Sequence, residues 1–273
     1  MERHIEIERS IIKKYRKSIW NNFVGAVKEY ELINENDKIA VCISGGKDSV
    51  LLAKCMQELC RHSEVPFSLE FIVMAPGYKK ENRELIEYNA KLLNIPIHIF
   101  NSEIFNIVTE VENSPCYLCA RMRRGYLYSE AKKLGCNKIA LGHHFDDAIE
   151  TLLMSMMYSS EIKTMLPKLH STNFDGMELI RPLYKVKERD IISWAKYNGL
   201  EFLQCACKFT EAGMQNEELS KRKETKKIIA EIRKINPEMD DNVFRSMHNV
   251  NLAQIVGYRD ADKGEKHLFT EKY

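Results

Sequence analysis

The chain has 273 residues, of which 44% are hydrophobic and 29% charged, with a formal net charge of +2. This length suits one large domain or one domain with appendages, and the composition excludes a disordered chain. Apolar stretches are interrupted every few residues and the start MERHIEIERSIIKKYRK lacks an apolar core, which excludes a membrane span and a secretory signal and leads us to expect a cytoplasmic protein.

Taken in chain order, residues 4–30 predict a helix with Ile5, Ile7, Ile11, Ile12, Trp20, Phe23 and Val24 roughly on one side. KIAVCI at 38–43 suits a buried strand, SGGKDS follows at once, and Val50–Cys60 suits a helix. LEFIVM at 69–74 predicts a second strand, 81–94 a helix, 96–100 a third strand, 118–134 a helix, KIAL at 138–141 a fourth strand and 146–158 a helix. Residues 159–177 read as a loop, ELI at 178–180 as a short strand, 188–198 as a helix, and 215–235 and 237–254 as two further helices. The expected organisation is an N-terminal helical segment at 1–36, an α/β domain at 37–205 and a C-terminal helical extension at 206–273.

Strands alternating with helices of this length imply right-handed βαβ units in a doubly wound parallel sheet. A ligand then sits at the carboxyl ends of the strands. SGGKDS, APGYKK and GHHFDD each follow a predicted strand, so all three loops belong at that edge.

In Ser44-Gly45-Gly46-Lys47-Asp48-Ser49, the glycines allow backbone N–H groups near a phosphate and the following helix adds partial positive charge. Ser44 and Ser49 can donate hydroxyl hydrogen bonds, Lys47 can neutralise phosphate charge, and Asp48 could hold Mg²⁺. The motif is neither GxxxxGK[ST] nor GxGxxG.

Eight cysteines in a chain this size, with no export signal, read as reduced thiols, metal ligands or catalytic groups. Cys116 and Cys119 open a helix that also carries Arg121, Arg123 and Arg124, a setting that lowers thiol pKa. Cys205 and Cys207 follow far downstream. Three arrangements suit these thiols. Cys116, Cys119 and Cys205 could hold a [4Fe–4S] cluster with one iron open, the four could close a zinc site, or Cys116 and Cys119 could form a redox disulfide. Cys42, Cys55, Cys60 and Cys136 read as packed small hydrophobes. Basic clusters at 13–17, at 121–124, and at 221–223 with 226–227 can attract phosphate backbones or serve as solvated helix faces.

Together these residues resemble the TtcA/TtuA family of PP-loop tRNA thiolation enzymes, closest to its tRNA 2-thiocytidine synthetase (TtcA) branch. The landmarks are VCISGGKDS at 41–49, CYLCARMRRGYLY at 116–128, KIALGHHFDDAIETLLMSMMY at 138–158, LPKL at 166–169, IRPLYKVKERDI at 180–191, Cys205, and NPEMDDNVFRSMHNV near the end. The resemblance covers about residues 10–255, and its combination of motifs is specific. It implies the HUP-like fold of PP-loop ATP pyrophosphatases and a [4Fe–4S] cluster on Cys116, Cys119 and Cys205. The family's later motif is CxxC with its first member the ligand, whereas this chain has CAC. The terminal zinc-binding CxxC pairs of the TtuA branch are absent.

The resemblance further implies adenylation of a base carbonyl in tRNA, expected at cytidine C2, followed by replacement of the oxygen with sulfur. ATP would bind on Ser44–Ser49 with Mg²⁺, its adenine near Met74, Ala75 and Gly142, and His143 and His144 would shape the pocket. Arg123, at the position of a catalytic lysine in the TtuA branch, is the expected cation for developing charge. Asp147 is the expected carboxylate for protons or magnesium. Expected partners are tRNA, a sulfur donor (a cysteine desulfurase or sulfide) and a second copy in a homodimer, with no membrane. The LPKLHSTNFDGM loop and the basic helices are candidate tRNA contacts. Rival readings are desulfurisation of a thiolated base, thiolation of a small molecule, lysidine-synthetase-like amine ligation, and a non-enzymatic ATP-binding redox sensor.

Overall fold

A computed structural model describes residues 2–77, 80–102, 115–203, 217–259 and 266–268; the side chains of 115–120, 217–220, 266 and 268 lie outside the described set. The chain divides into two compact units, Met1–Lys227 and Ile228–Tyr273.

The first unit is built on a six-stranded sheet. Its strands are β1 (Lys38–Ile43), β2 (Ser68–Ala75), β3 (Ile97–Asn101), β4 (Lys138–Ala140), β5 (Lys168–His170) and β6 (Glu178–Ile180), in the order β3-β2-β1-β4-β6-β5. Every pairing is parallel except β5 with β6, so an antiparallel strand closes one edge of the parallel sheet. The crossover helices are α3 (Lys47–His62), α4 (Lys80–Leu92), α5 (Pro115–Lys133) and α6 (Phe145–Ser159); α7 (Glu188–Tyr197) follows β6.

Central β1 shows why KIAVCI reads as one apolar run. Its alternate side chains enter two different cores, as the period-2 geometry of a strand requires. Ile39, Val41 and Ile43 pack with Leu51, Leu52 and Cys55 of α3 and with Trp194 of α7. Ala40 and Cys42 pack on the other face with Ile72, Ile139, Leu179 and Tyr128 and Ala131 of α5.

The N-terminal segment buries a stripe at Ile7, Ile11, Tyr15, Ile19 and Phe23. A four-residue repeat drifts by about 40° per step on a 3.6-residue helix. Two π turns, Ser10–Lys14 and Arg16–Trp20, widen the coil between α1 (Arg3–Arg9) and α2 (Asn21–Glu29) and keep the stripe on one side. This corrects the face expected from a regular helix: Ile5 is exposed, and Tyr15 and Ile19 take buried places. Ser10 Oγ accepts from Trp194 Nε1 and Asn198 Nδ2, each at 3.1 Å, which ties this segment to α7 through a satisfied buried polar node.

Helix α8 (Glu217–Ile235) crosses from the first unit into the second. The second unit also holds α9 (Met239–Ser246) and a hairpin of β7 (Gly257–Arg259) with β8 (Lys266–Leu268). Within it Arg233 Nε donates to both Asp240 oxygens, at 2.9 and 2.8 Å. No helix among the described residues is long and apolar enough to cross a membrane.

Candidate active site at the carboxyl edge of the sheet

The carboxyl ends of β2, β1, β4 and β6 border a cavity of about 710 Å³, whose lining includes Met74, Ser44, Gly142 and Arg181. The loop after β1 is held by its own hydroxyls. Ser44 N–H donates to Ser49 Oγ at 3.1 Å, and Ser49 Oγ donates to Gly46 O at 2.9 Å. Gly45 has φ +84°, and a Cβ there would stand 2.8 Å from Ile86 Cγ1 and Leu203 Cδ1. Glycine at 45 therefore serves both the turn and its packing. Leu203 N–H donates to Gly45 O at 3.2 Å, tying the chain just ahead of residue 205 to this loop.

Gly142 brings the loop after β4 against the start of α3. A Cβ at 142 would lie 3.0 Å from Ser49 N and 3.1 Å from Asp48 C, both backbone atoms. Beyond it, His144 N–H donates to Asp147 Oδ2 at 3.0 Å at the start of α6, and Asp146 Oδ2 accepts from Glu188 N–H at 2.7 Å at the start of α7. Both carboxylates thus satisfy helix N-termini.

Asp147 is also one member of a closed circuit of charged and polar groups. Its Oδ1 pairs with Arg222 Nη2 at 2.7 Å, and Arg222 Nε pairs with Glu150 Oε2 at 2.9 Å. Lys226 bridges Glu150 and Glu188, each at 3.4 Å. Glu188 Oε1 holds Lys47 Nζ at 3.0 Å, and Lys47 meets Asp48 Oδ2 at 3.2 Å. His144 closes the circuit, 3.8 Å from Asp48 and 3.4 Å from Asp147. Burial opposes the charge on Asp147, but His144, His143 and Arg222 outweigh it and hold the carboxyl below its usual range. Burial raises the carboxyl pKa of Asp48, and its Oδ1 is buried with no hydrogen-bond partner among the described residues.

The cavity also has a set of cationic lining residues. Arg181 is buried just after β6, and its Nη1 donates to Leu166 O. Its Nε donates to His143 Nδ1 at 3.3 Å, which leaves the neutral ring's proton on Nε2. Burial pulls the His143 pKa down to about 4. Arg123 and Arg124 of α5 line the same cavity, and Arg123 Nε is buried without a partner among the described residues.

Comparison with known proteins now bears on this edge. The family model of the ATP_bind_3 PP-loop domain matches residues 11–208. The tRNA-cytidine(32) 2-sulfurtransferase of Geobacter metallireducens is 36% identical over 248 residues, covering 89% of this chain and 93% of that protein. The protein of the same name from Geobacter sulfurreducens is 35% identical over 244 residues, covering 88% and 92%. The chain belongs to this PP-loop family. The U34-tRNA thiolase NcsA from Methanococcus maripaludis, solved with its [4Fe-4S] cluster, has the same fold, with a TM-score of 0.66 at 21% identity over 86% of this chain and 78% of that one.

In this PP-loop protein, Ser44, Asp48, Ser49, Met74, Gly142, Arg123 and Asp147 all line one cavity. Gly45 and Gly46 form the adjoining turn, and Lys47 is turned to Asp48 and Glu188. Residues 116 and 119 lie in the first turns of α5, but their side chains, and the whole of Cys205 and Cys207, lie outside the described residues. Among the described residues no cluster of three or more His, Cys, Asp or Glu could hold a metal. Cys42, Cys55 and Cys136 are buried, Cys60 is half-buried, and burial raises all four thiols.

Sequence reasoning missed Arg181, Glu188, Arg222 and Lys226 as cavity residues. Arg181 stood in the IRPLYKVKERDI landmark without a role. Arg222 and Lys226 stood in a basic cluster read as a solvated face or a tRNA contact. Their partners lie 72 or more residues away along the chain for Arg222, so spacing carries no sign of them.

Proposed function

We propose that the chain is a cytoplasmic ATP-dependent sulfurtransferase that exchanges the C2 oxygen of a cytidine in tRNA for sulfur. One observation carries the reading: the PP-loop residues Ser44, Asp48 and Ser49 share a cavity with Arg123 and Arg124 of the helix on which residues 116 and 119 lie three apart. Residues three apart on a helix occupy one face, and soft thiolates suit iron–sulfur ligation. That donor set fits a [4Fe–4S] cluster held by Cys116, Cys119 and Cys205, with Leu203 anchored on Gly45 O two residues earlier. When bound, the cluster would supply a place for the incoming sulfur.

The chain's own groups suit the adenylation half. ATP rests its phosphates on the turn at 44–49 and its adenine towards Met74. Asp48 Oδ1, buried without a hydrogen-bond partner among the described residues, takes Mg²⁺ as its missing cation. The base oxygen attacks the α-phosphorus and pyrophosphate leaves; sulfur then bonds to C2 and AMP departs with the oxygen. Arg123 faces the charge that develops in both steps, and a fixed cation in a site shielded from water is effective there. Asp147 orders the α6 terminus and Arg222, and in this reading it is also the carboxylate that handles the proton lost at sulfur. The sulfur comes from a cysteine desulfurase or from sulfide, and the working form is a homodimer.

Mass spectrometry of tRNA nucleosides from cells with and without the gene tests the reaction: 2-thiocytidine is expected to vanish with the gene. Unchanged nucleosides refute it. For the cluster, anaerobically prepared chain is expected to be brown. Cys205→Ser should be colourless and Cys207→Ser should keep most of the colour. The reverse pattern moves the ligand to Cys207, and a colourless wild type that binds one zinc removes the cluster.

A further inference from the structure

Arg181 is buried to 93%, at 7% exposure, yet both of its described acceptors are neutral. These are Leu166 O and His143 Nδ1. No carboxylate among the described residues lies within ion-pair distance of it. The one that influences it, Asp147, is engaged by Arg222. Burial pulls the Arg181 pKa down to about 10, so the guanidinium remains charged at neutral pH, and Arg124 adds like charge nearby. Arg123 and Arg124 likewise form no ion pair among the described residues, and Arg123 Nε is buried without a partner. A neutral donor could hold the loop at Leu166 without the cost of a buried charge. A buried guanidinium with no ion pair among the described residues, with the like charge of Arg124 near it, therefore calls for an anion.

That anion is not the triphosphate. Arg181 follows β6, which lies two strands from β1 in the sheet order. Neighbouring strands are about 4.8 Å apart, so the carboxyl ends of β1 and β6 are roughly 10 Å apart. Met74 lies on β2, on the opposite side of β1, and the ATP placed on β1 and β2 extends away from Arg181. A nucleotide within an RNA strand brings phosphates of its own. Resting on the proposed function, we infer that Arg181, with Arg124, forms a second anion site that holds a phosphodiester of the RNA strand beside the nucleotide to be thiolated.

The test measures binding of an unmodified tRNA transcript to the full-length, anaerobically prepared chain over a series of salt concentrations, and of ATP in parallel. Arg181→Gln is expected to weaken RNA binding on the order of tenfold and to shrink the slope of log affinity against log salt by about 0.7–0.9, one phosphate contact. ATP affinity is expected to move by less than about twofold. Arg124→Gln, at an exposed position, should show the same loss of slope if Arg181→Gln does not fold, and Arg181→Lys should keep the slope. Unchanged RNA affinity and slope in the folded variants overturn the inference, and a loss confined to ATP reassigns the arginines to the triphosphate. A wild-type chain that binds no RNA instead overturns the proposed function itself.

Discussion

Replacing Arg222 with Met keeps the apolar stem but removes the cation between Asp147 and Glu150. Breaking one side of a fully buried pair costs about 3–5 kcal/mol. Here the Glu150 side chain is 4% exposed but that of Arg222 is 39% exposed, so solvent screening reduces the loss. Glu150 also keeps Lys226 at 3.4 Å, and Asp147 keeps the His144 N–H at 3.0 Å. The expected destabilisation at pH 7.5 is therefore about 1–3 kcal/mol. Its pH dependence follows from the two carboxyls. Asp147 is depressed in the folded chain, so its contribution is present above about 3.8 and lost as pH falls through the folded value. Glu150 is raised by burial despite Arg222 and Lys226, so its ionisation costs stability above the folded value and nothing below about 4.5. Removing Arg222 raises both folded values, and the deficit is largest near neutrality and shrinks towards pH 4.5. Urea denaturation of wild type and variant at pH 7.5 and pH 5 reads this out. Adding Glu150→Gln should recover about 1 kcal/mol, because the stranded carboxylate is gone. A deficit that does not change with pH, or a double variant no better than Arg222→Met, would refute the circuit as an electrostatic unit.

Gly142→Ala places a methyl 3.0–3.1 Å from backbone atoms of Asp48 and Ser49 that cannot swing aside. It is expected to cost about 1–3 kcal/mol by overpacking and to weaken ATP binding, and wild-type behaviour in both measurements would show that the β4 loop is not seated against α3. His143 is half-buried and neutral among Arg181, Arg222, His144 and Asp147, with its pKa lowered from 6.5 to about 4. The unfolded chain binds that proton first, so stability falls as pH drops from about 6.5 to 4. His143→Gln should remove on the order of 2 kcal/mol of that fall, and an identical pH profile in the variant counts against a neutral ring.

How much of this was readable before folding depends on whether the signal is local. KIAVCI at 38–43 announces itself because a central parallel strand is buried on both faces, and SGGKDS marks the strand-to-helix turn behind it. β5 is three residues, Lys168–His170, in an edge pairing with no period long enough to register, so 159–177 reads as loop. The helix expected over 237–254 stops at Ser246, where Asn249 and Asn251 follow and Asn251 Oδ1 accepts from Ala253 N–H. The hairpin of Gly257–Arg259 with Lys266–Leu268 carries no turn dipeptide and was not expected. Site residues divide the same way. The 44–49 turn and the 142–147 loop are contiguous motifs. Arg222 acquires meaning only opposite Asp147 and Glu150, and Arg181 only through what it lacks.

The groups that line the cavity carry two opposite imbalances. Around the PP-loop, four carboxylates (Asp48, Asp147, Glu150 and Glu188) face three cations (Lys47, Arg222 and Lys226) and His144. Arg181, Arg123 and Arg124 line the same cavity with no ion pair among the described residues. A tetra-anionic nucleotide brought alone to the PP-loop would meet Asp48 as a like charge, so the ligand must arrive with a cation or displace Glu188 from Lys47. The arginines gain from any anion without such an exchange. Nucleotide binding should therefore depend steeply on Mg²⁺ and weakly on monovalent salt, and polynucleotide binding the other way round.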